Sequence, residues 1–323
     1  MLPVLTRFVG ERVAPGGNNA RLSILMYHRV LPRPDTLLPR QMHAEVFDTH
    51  MRSLRSHFNC LPLGEAVARL RDRTLPPRAA CVTFDDGYRD NVEVALPILR
   101  KHGVPAIFFI ATGYLDGGRM FNDTVIEAIR GARVDVLDLS DLDAGRLSLA
   151  TLEERRAAVS ACLKAAKYRG FDARRDFVSE LARRSGAALP DDLMMDSSQV
   201  NVLAQAGMEI GAHTVNHPIL LNVDDDQARR EIEDGKRQLE VLTARPVTLF
   251  AYPNGIPGKD YGPAHVRMVR EAGFEAAVST SVGASTPSTD LHQLPRFTPW
   301  DLTSARFALR LLRNCATSQP VFA

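Results

Sequence analysis

Residues 81–87, Cys-Val-Thr-Phe-Asp-Asp-Gly, are the stretch that best indicates both the fold and the function of this chain. The apolar run at 81–84 predicts a short β-strand, and Gly87 predicts a turn directly after it. Asp85 and Asp86 then lie at the C-terminal end of the strand, where both carboxylates can face one cavity. We interpret one as a cation ligand and the other as a proton acceptor. The alternative is a polar turn that binds nothing.

Alternating strands and helices surround this stretch. Spacings of three and four between apolar residues predict two helices within 39–73, one over 91–102 that Gly103 ends, and others at 197–206, 226–243 and 264–272. Apolar runs predict six further strands, at 22–27, 104–110, 208–212, 247–252, 275–279 and 291–297. This alternation favours an α/β fold, built as a parallel (β/α) barrel.

Two segments fall outside the alternation. Residues 119–196 are rich in Arg, Ala, Leu, Glu and Asp, and they predict helices at 151–166 and 172–184, so we interpret them as a helical insertion in the barrel. Residues 11–20 include Pro-Gly-Gly-Asn-Asn at 15–19, which is typical of irregular structure. The predicted organisation is a flexible leader, residues 1–20, followed by one barrel domain, residues 21–323.

The composition excludes several classes of function. With 45% hydrophobic and 24% charged residues, the chain of 323 residues can build a large core. Its 40 basic and 38 acidic residues form no basic stripe, so nucleic acid is not predicted as a partner. The four cysteines are scattered without ligand spacing, which argues against disulfides and a zinc–thiolate site. No signal peptide or membrane span is predicted, so we expect a cytoplasmic location.

A second motif, His-Thr-Val-Asn-His at 213–217, brings two imidazoles to one polar segment. A separation of four residues predicts that His213 and His217 share one face of a helical turn. They follow a predicted strand, as the aspartates do, and the C-terminal ends of parallel barrel strands share one face. Two histidines and one carboxylate, with positions left for water, suit Zn²⁺ and tolerate other divalent ions.

Together these motifs resemble those of the polysaccharide deacetylases of carbohydrate esterase family 4, also called the NodB-homology family. The TFDDG motif is intact at 83–87, and the H-S/T-x-x-H motif is complete at 213–217. The resemblance implies a distorted barrel of seven strands that binds a divalent metal, most often Zn²⁺, with Co²⁺ or Ni²⁺ as alternatives. It also implies Asp86, His213 and His217 as metal ligands and Asp85 as catalytic base.

Other motifs of that family are altered. Ala251, in Phe-Ala-Tyr-Pro-Asn-Gly at 250–255, stands where the arginine that orients the base is usual, and Arg296 is a candidate for that role. The usual Asp-Trp and late Leu-x-His motifs have no clean match. Residues 26–30, Met-Tyr-His-Arg-Val, are similar to the segment that supplies the acid in the poly-N-acetylglucosamine deacetylase branch. His28 is therefore the predicted general acid, with His292 as the alternative.

The resemblance implies a metal-dependent hydrolase that removes N-acetyl groups from amino-sugar units of a polysaccharide or its precursor, with a role in exopolysaccharide biosynthesis. One alternative is an amidohydrolase for a small N-acyl or cyclic amide. Another is an inactive, metal-holding carbohydrate-binding domain, which ranks lower because Asp85 and His28 are both present. Trp300 and Tyr261 are candidates for stacking on sugar rings, with packing as the alternative. The sequence indicates no oligomeric state.

Overall fold

Seven parallel strands form the main sheet of the computed structural model, which describes residues 11–317 and 322–323. Two antiparallel strands form a separate hairpin. In chain order the strands are β1 (Leu22–Tyr27), β2 (Asn59–Cys60), β3 (Ala79–Phe84), β4 (Ala106–Ile110), β5 (Val136–Leu139), β6 (Gly145–Ser148), β7 (Glu209–Ala212), β8 (Leu249–Ala251) and β9 (Ala276–Val278). The main sheet runs β1-β3-β4-β7-β8-β9, with β2 paired to β3. Each of these pairs is parallel.

Helices connect the strands and cover the sheet. They are α1 (Ala44–His57), α2 (Leu63–Arg71), α3 (Leu96–His102), α4 (Phe121–Arg130), α5 (Leu152–Lys167), α6 (Phe171–Ser185), α7 (Ser197–Gln205), α8 (Asp225–Thr243), α9 (Pro263–Glu271) and α10 (Ser304–Ala316). A π-helical turn, Asn91–Ala95, leads into α3, and Gly103 ends that helix in the left-handed conformation that glycine adopts easily. Within the described part of the chain, no helix is long and apolar enough to cross a membrane.

The segment after β9 closes the sheet into a distorted barrel. Within this segment, Leu291–Gln293 form a 3₁₀ turn at the start of the predicted strand 291–297. The next residues bridge both ends of the sheet, because Leu294 pairs with Val278 of β9 and Phe297 pairs with Leu25 of β1. Pro295 has no N–H to donate, so a longer regular strand is disfavoured here. The predicted α/β barrel is thus confirmed, and its seam is this irregular segment.

Alternate strand residues pack on opposite faces of the sheet. In β4, Phe108 and Ile110 belong to the large cluster formed with α1, α3 and α7 to α10, while Ile107 and Phe109 belong to a second cluster that includes α2. The N-terminal N–H groups of α2, at Leu63 and Gly64, donate to the Glu209 carboxylate at the start of β7. Helix α2 therefore covers the end of the barrel where strands begin. The other end, where strands finish, is left for polar side chains.

The predicted flexible leader, residues 1–20, includes an ordered part. Residues 1–10 of the predicted leader lie outside the described residues, but residues 14–20 pack on the barrel. Ala14 and Ala20 are fully buried. The Gly17 N–H donates to the Leu75 carbonyl at 2.9 Å. A Cβ on Gly16 would lie 2.6 Å from the Leu75 oxygen, so the glycine allows close backbone contact there.

The insertion is only partly helical. Helices α5 and α6 lie close to the predicted positions, but the sequence analysis missed the hairpin of β5 and β6 that precedes them. Leu137 and Leu139 are buried while Val136 and Asp138 are exposed, which is the period of two that a half-buried strand shows. These leucines join side chains of α4, α5 and α6 in a separate hydrophobic cluster. The insertion therefore has its own small core.

Candidate active site

Polar side chains collect at the end of the barrel where the parallel strands finish. His28 follows β1, Asp85 and Asp86 follow β3, and His213 follows β7. The Asp85 N–H donates to the Tyr27 carbonyl at 3.0 Å, which joins the ends of β1 and β3. These are the positions at which barrel folds place their chemistry.

Asp86, His213 and His217 come together as the sequence predicted. The Asp86 Oδ1 atom lies 3.5 Å from His213 Nε2 and 3.4 Å from His217 Nε2. All three side chains are buried, and one ligand atom from each lies within 4.8 Å of the others. Two atoms that each lie 2.0–2.2 Å from a tetrahedral Zn²⁺ would be separated by about 3.3–3.6 Å. The spacing of these atoms therefore fits one metal ion.

The hydrogen bonds around these residues also fit a metal ion. His213 Nδ1 lies 2.7 Å from the Ala251 carbonyl, so this nitrogen donates and leaves the Nε2 lone pair for a ligand. The buried Asp86 Oδ1 has no hydrogen-bond partner among the described residues. Burial leaves such an oxygen costly unless something positive contacts it. Two imidazoles and a carboxylate oxygen are a ligand set typical of Zn²⁺.

The segment that carries both histidines is a bend, so the prediction of a helical turn is wrong. Thr214 and His217 have φ angles of 64° and 50°, in the left-handed region that side chains with a Cβ rarely adopt. The buried Glu231 of α8 holds this bend: its carboxylate accepts the N–H groups of Val215 at 2.9 Å and Asn216 at 2.7 Å. It also accepts the Asn216 side-chain amide at 2.7 Å. Glu231 thus supports backbone that would otherwise be disfavoured.

The role of Glu231 is not evident from the sequence, because a charged residue of an amphipathic helix is expected at the surface. The available signal was its position next to Ile232 and four residues before Gly235, on the side of α8 that is buried. A Cβ on Gly235 would lie 2.9 Å from the carbonyl of Thr214, so a glycine is needed for the helix to approach the bend. An acid and a glycine one turn apart on a buried helix face indicate backbone contact.

Asp85 lies in a different environment from Asp86. Both of its oxygens accept hydrogen bonds from the Arg296 guanidinium, each at 2.7 Å. Arg296 is 0% exposed, and it also donates to the Ser279 carbonyl and the Thr83 hydroxyl. Burial opposes ionisation of Asp85, but the charges of Arg296 and His213 outweigh it and hold the pKa of Asp85 below its usual value. Arg296, the candidate for the role that Ala251 leaves without an arginine, therefore contacts both oxygens of the Asp85 carboxylate.

The imidazoles of His213 and His217 have different pKa values. Burial disfavours the charged form of both. For His217 it prevails and lowers the pKa to about 3. For His213 the nearby carboxylates of Asp86 and Asp85 outweigh burial and raise the pKa above its usual value. A metal ligand must be unprotonated, so a cation at this site competes with a proton mainly at His213.

His28 lines a cleft of about 810 Å³ together with Asp86. Its segment is fixed by neighbours, since Asp90 accepts the Arg29 guanidinium and the Val30 N–H, both at 2.8 Å. The alternative acid, His292, lies elsewhere, because its Nε2 is 2.9 Å from the Phe274 carbonyl. Phe274 precedes β9, so it lies at the end of the barrel where the strands begin. Of the two histidines, His28 is the one that shares a cleft with Asp86.

The two aromatic candidates for sugar contact differ in exposure. Tyr261 is fully buried and stacks on Tyr252 with ring centroids 3.8 Å apart, so it belongs to the core. Trp300 is 61% exposed and lines the same cleft as His28 and Asp86. Of the two candidates, Trp300 is therefore the one that a ligand in this cleft can reach.

Comparison with known proteins supports the assignment that the site suggests. The sequence model of the family described as polysaccharide deacetylase matches residues 72–139 and 148–277. The break between these ranges falls at the hairpin of the insertion. YxkH of Bacillus subtilis (strain 168), which is itself named after this family, is 21% identical over 279 residues, or 86% of this chain and 71% of YxkH.

Solved structures show the same fold. One is the deacetylase PplD of Streptococcus pyogenes in complex with acetate, with a TM-score of 0.63 at 18% identity. The match covers 91% of this chain and 99% of the PplD chain. IcaB from Ammonifex degensii has a TM-score of 0.58 at 19% identity, with coverage of 91% and 98%. The family match spans more than half of the chain and includes both aspartates and both histidines. The chain therefore belongs to the polysaccharide deacetylase family.

Proposed function

We propose that this chain is a metal-dependent hydrolase that removes N-acetyl groups from the amino-sugar units of a polysaccharide or of its precursor. The observation that carries the proposal is the contrast between two adjacent carboxylates. Asp85 is held by Arg296 in a bidentate pair, whereas Asp86 Oδ1 faces two imidazoles without a hydrogen bond. One arrangement suits a proton acceptor, and the other suits a cation ligand.

Asp86, His213 and His217 would hold the ion. A divalent metal bound there lowers the pKa of a water molecule from about 15.7 towards about 7 and polarises the acetyl carbonyl. The fixed Nδ1 contact of His213 and the support of the bend by Glu231 hold the ligand atoms in place before the ion arrives. Such support of ligands typically improves metal affinity about 10- to 100-fold.

Asp85 is the proton acceptor in this proposal. Each of its oxygens uses one lone pair on Arg296, and a second lone pair on each remains to take the proton of the attacking water. Arg296 fixes the plane of the carboxylate, so the acceptor does not need to be reoriented during the reaction. A positioned general base contributes about 10²- to 10⁴-fold to the rate.

His28 is the proton donor to the leaving amine. It lines the cleft on the β1 side of Asp86, so a substrate between them would have the acid and the metal ligands on different sides. Trp300 supplies an exposed aromatic face along the same cleft, which suits a sugar ring better than a small acyl amide. The presence of Asp85 and His28 at the same end of the barrel also favours an enzyme over an inactive binding domain.

The proposal is tested by acetate release from short N-acetylglucosamine oligomers. We would use metal-stripped full-length protein, with and without added Zn²⁺ or Co²⁺, and Asp86→Ala as the variant that lacks one proposed ligand. We expect acetate only when metal is added, and none from the variant. Acetate release that does not depend on metal would contradict the mechanism. Tight metal binding without acetate from any oligomer would contradict a polysaccharide as the substrate.

A further inference from the structure

A second depression, of about 490 Å³, lies next to the active-site cleft. Thr298 and Trp300 line both spaces, so a single wall separates them. The floor of the second depression includes Arg296, the residue that holds Asp85. Its outer side is formed by helix α10. A ligand in this depression is therefore a direct neighbour of a substrate in the cleft.

Three arginines of α10 line this depression. Arg306, Arg310 and Arg313 are spaced by four and three residues, which places them on one side of the helix, over about 10 Å of its length. Arg310 is paired with the Asp301 carboxylate and lies over the Trp300 ring, 4.5 Å from its centroid. Arg306 and Arg313 form no ion pair or side-chain hydrogen bond with any described residue.

The charge of the depression is therefore unbalanced. Asp85 neutralises Arg296 and Asp301 neutralises Arg310, and Asp301 is the only acidic side chain among the described residues that line the space. Two positive charges remain, on Arg306 and Arg313. Guanidinium groups match the oxygens of phosphate in charge and in geometry, and two of them around one depression suit a dianion.

Apolar side chains border the same space. Val282 is 62% exposed and Leu309 is 57% exposed, and both line the depression together with Trp300. These exposed side chains can contact an apolar part of a ligand whose anionic group faces the arginines. The ligand that fits this chemistry carries an anionic group for the arginines and an apolar or aromatic part for the border.

We propose that the depression binds the phosphate or diphosphate of a phosphorylated amino sugar, whose acetamido ring passes Trp300 and enters the catalytic cleft. This inference rests on the proposed function and specifies its substrate class: a precursor sugar that carries phosphate. The phosphate belongs either to a nucleotide or to a lipid, and both sources offer the same group to Arg306 and Arg313. The exposed Val282 and Leu309 would contact the remainder of the carrier.

The first experiment measures the binding of inorganic pyrophosphate by calorimetry. Full-length protein is kept in EDTA so that no metal contributes. The double variant Arg306→Ala/Arg313→Ala is compared with Arg230→Ala/Arg267→Ala, which removes the same charge from two exposed helix positions elsewhere. We expect saturable binding that weakens with salt, about tenfold or more loss of affinity in the first pair, and little change in the second.

The second experiment identifies the source of the phosphate. The wild type and the same two double variants are tested with UDP-N-acetylglucosamine. They are also tested with vesicles of phosphatidylcholine, with and without phosphatidylglycerol. Binding of the nucleotide sugar that requires Arg306 and Arg313 indicates a soluble substrate. Binding only to anionic vesicles, with the same requirement, indicates a lipid source. Either result supports a phosphate site, and the two differ only in the carrier.

The proposal is overturned if the wild-type protein binds neither pyrophosphate, nor the nucleotide sugar, nor anionic vesicles. It is also overturned if both double variants lose affinity equally, because the effect would then be one of net charge. These measurements need neither metal nor turnover. Oligomers of N-acetylglucosamine carry no phosphate, so their deacetylation by the wild-type protein tests the proposed function alone. Failure of one proposal can therefore be told from failure of the other.

Discussion

Asp85 and Asp86 are consecutive in the chain, yet their carboxylates lie in opposite kinds of environment. Arg296 donates to both oxygens of Asp85, so that carboxylate is neutralised by the protein itself. Asp86 faces the imidazoles of His213 and His217, and its Oδ1 accepts no hydrogen bond from the described residues. We call these the Asp85–Arg296 pair and the Asp86–His213–His217 triad.

The backbone conformation directs the two carboxylates into these different environments. Asp86 has a φ of 78° and Gly87 a φ of 95°, so the chain leaves β3 through the left-handed region at the second carboxylate. A non-glycine residue in that conformation costs about 1–3 kcal/mol, and it persists only where the surroundings impose it. Two adjacent acids therefore have distinct environments because the chain turns between them. Residue type alone does not determine which of the two acids faces His213 and His217.

Replacement of Asp85 by asparagine is the strongest test of the comparison. We expect turnover to fall about 10²- to 10⁴-fold, because asparagine accepts no proton, while the affinity for Zn²⁺ stays close to that of the wild type. Acetate release and zinc titration of the metal-free protein measure the two quantities. Equal loss of zinc binding and activity would mean that Asp85 belongs to the triad, and the distinction between the two acids would fail.

Replacement of Arg296 by glutamine breaks the buried pair and leaves the Asp85 carboxylate without its partner. We expect the free energy of unfolding to fall by about 3–5 kcal/mol, measured by urea denaturation. The double variant Asp85→Asn/Arg296→Gln should recover part of this loss, because no buried charge is then left alone. Arg229→Gln, which breaks an exposed pair with Glu271, is the control and should cost less than about 1 kcal/mol.

Asp123 is a third buried carboxylate for the comparison. Among the described residues, it is neither hydrogen-bonded by an arginine, as Asp85 is, nor faced by two imidazoles, as Asp86 is. It accepts the Tyr88 hydroxyl at 3.0 Å, and Arg29 is 3.9 Å away. Burial raises the pKa of Asp123 to about 7, against the opposing charge of Arg29 and the hydrogen bond from Tyr88. Where Asp85 and Asp86 are ionised, this group holds its proton up to neutral pH.

The pH dependence of stability follows from that difference. An unfolded aspartate has a pKa near 3.9, so between about pH 4 and 7 the folded state binds a proton that the unfolded state has released. This contribution is largest below pH 4 and is lost as the pH rises to about 7. Asp123→Asn should therefore gain stability relative to the wild type across that range, by at most about 4 kcal/mol. Urea midpoints at pH 4, 5.5, 7 and 8.5 measure it, and a constant difference would refute it.

Much of this arrangement could be predicted from the sequence, because it follows from strand ends. The motifs at 83–87 and 213–217 each follow an apolar run, and the ends of parallel strands meet at one face of a barrel. That geometry brings Asp86 to His213 without knowledge of any loop. The contact of Arg296 with Asp85 spans 211 positions and depends on how the segment after β9 closes the barrel, which no local pattern specifies.

Other features could not be predicted because they are backbone contacts rather than patterns of side chains. The left-handed residues in the 213–217 bend leave no periodicity to detect, and the expected helical turn was wrong for that reason. Residues 14–20 are ordered by hydrogen bonds from Gly17 and Arg78, although their composition is that of a flexible leader. The short hairpin of the insertion was missed because its strands have only four residues each.

Glu231 offers the finest test, because it acts on the triad without contacting the proposed ion. Its carboxylate accepts three N–H donors from the bend, and in Glu231→Gln one oxygen becomes an amide that donates instead. The bend is then less well held, and we expect the affinity for Zn²⁺ to fall about 10- to 100-fold, with the Asp85–Arg296 pair unaffected. Glu233→Gln, on an exposed part of the same helix, is the matched control. Competition with a chelator measures the affinity for Zn²⁺ in both variants.

Turnover at saturating Zn²⁺ shows how far the effect of Glu231 extends. If added Zn²⁺ restores turnover of Glu231→Gln to the wild-type level, Glu231 only positions the metal ligands. A turnover that stays low at saturating Zn²⁺ would show that the bend also shapes the reacting geometry, and the two halves of the site would then be coupled through it.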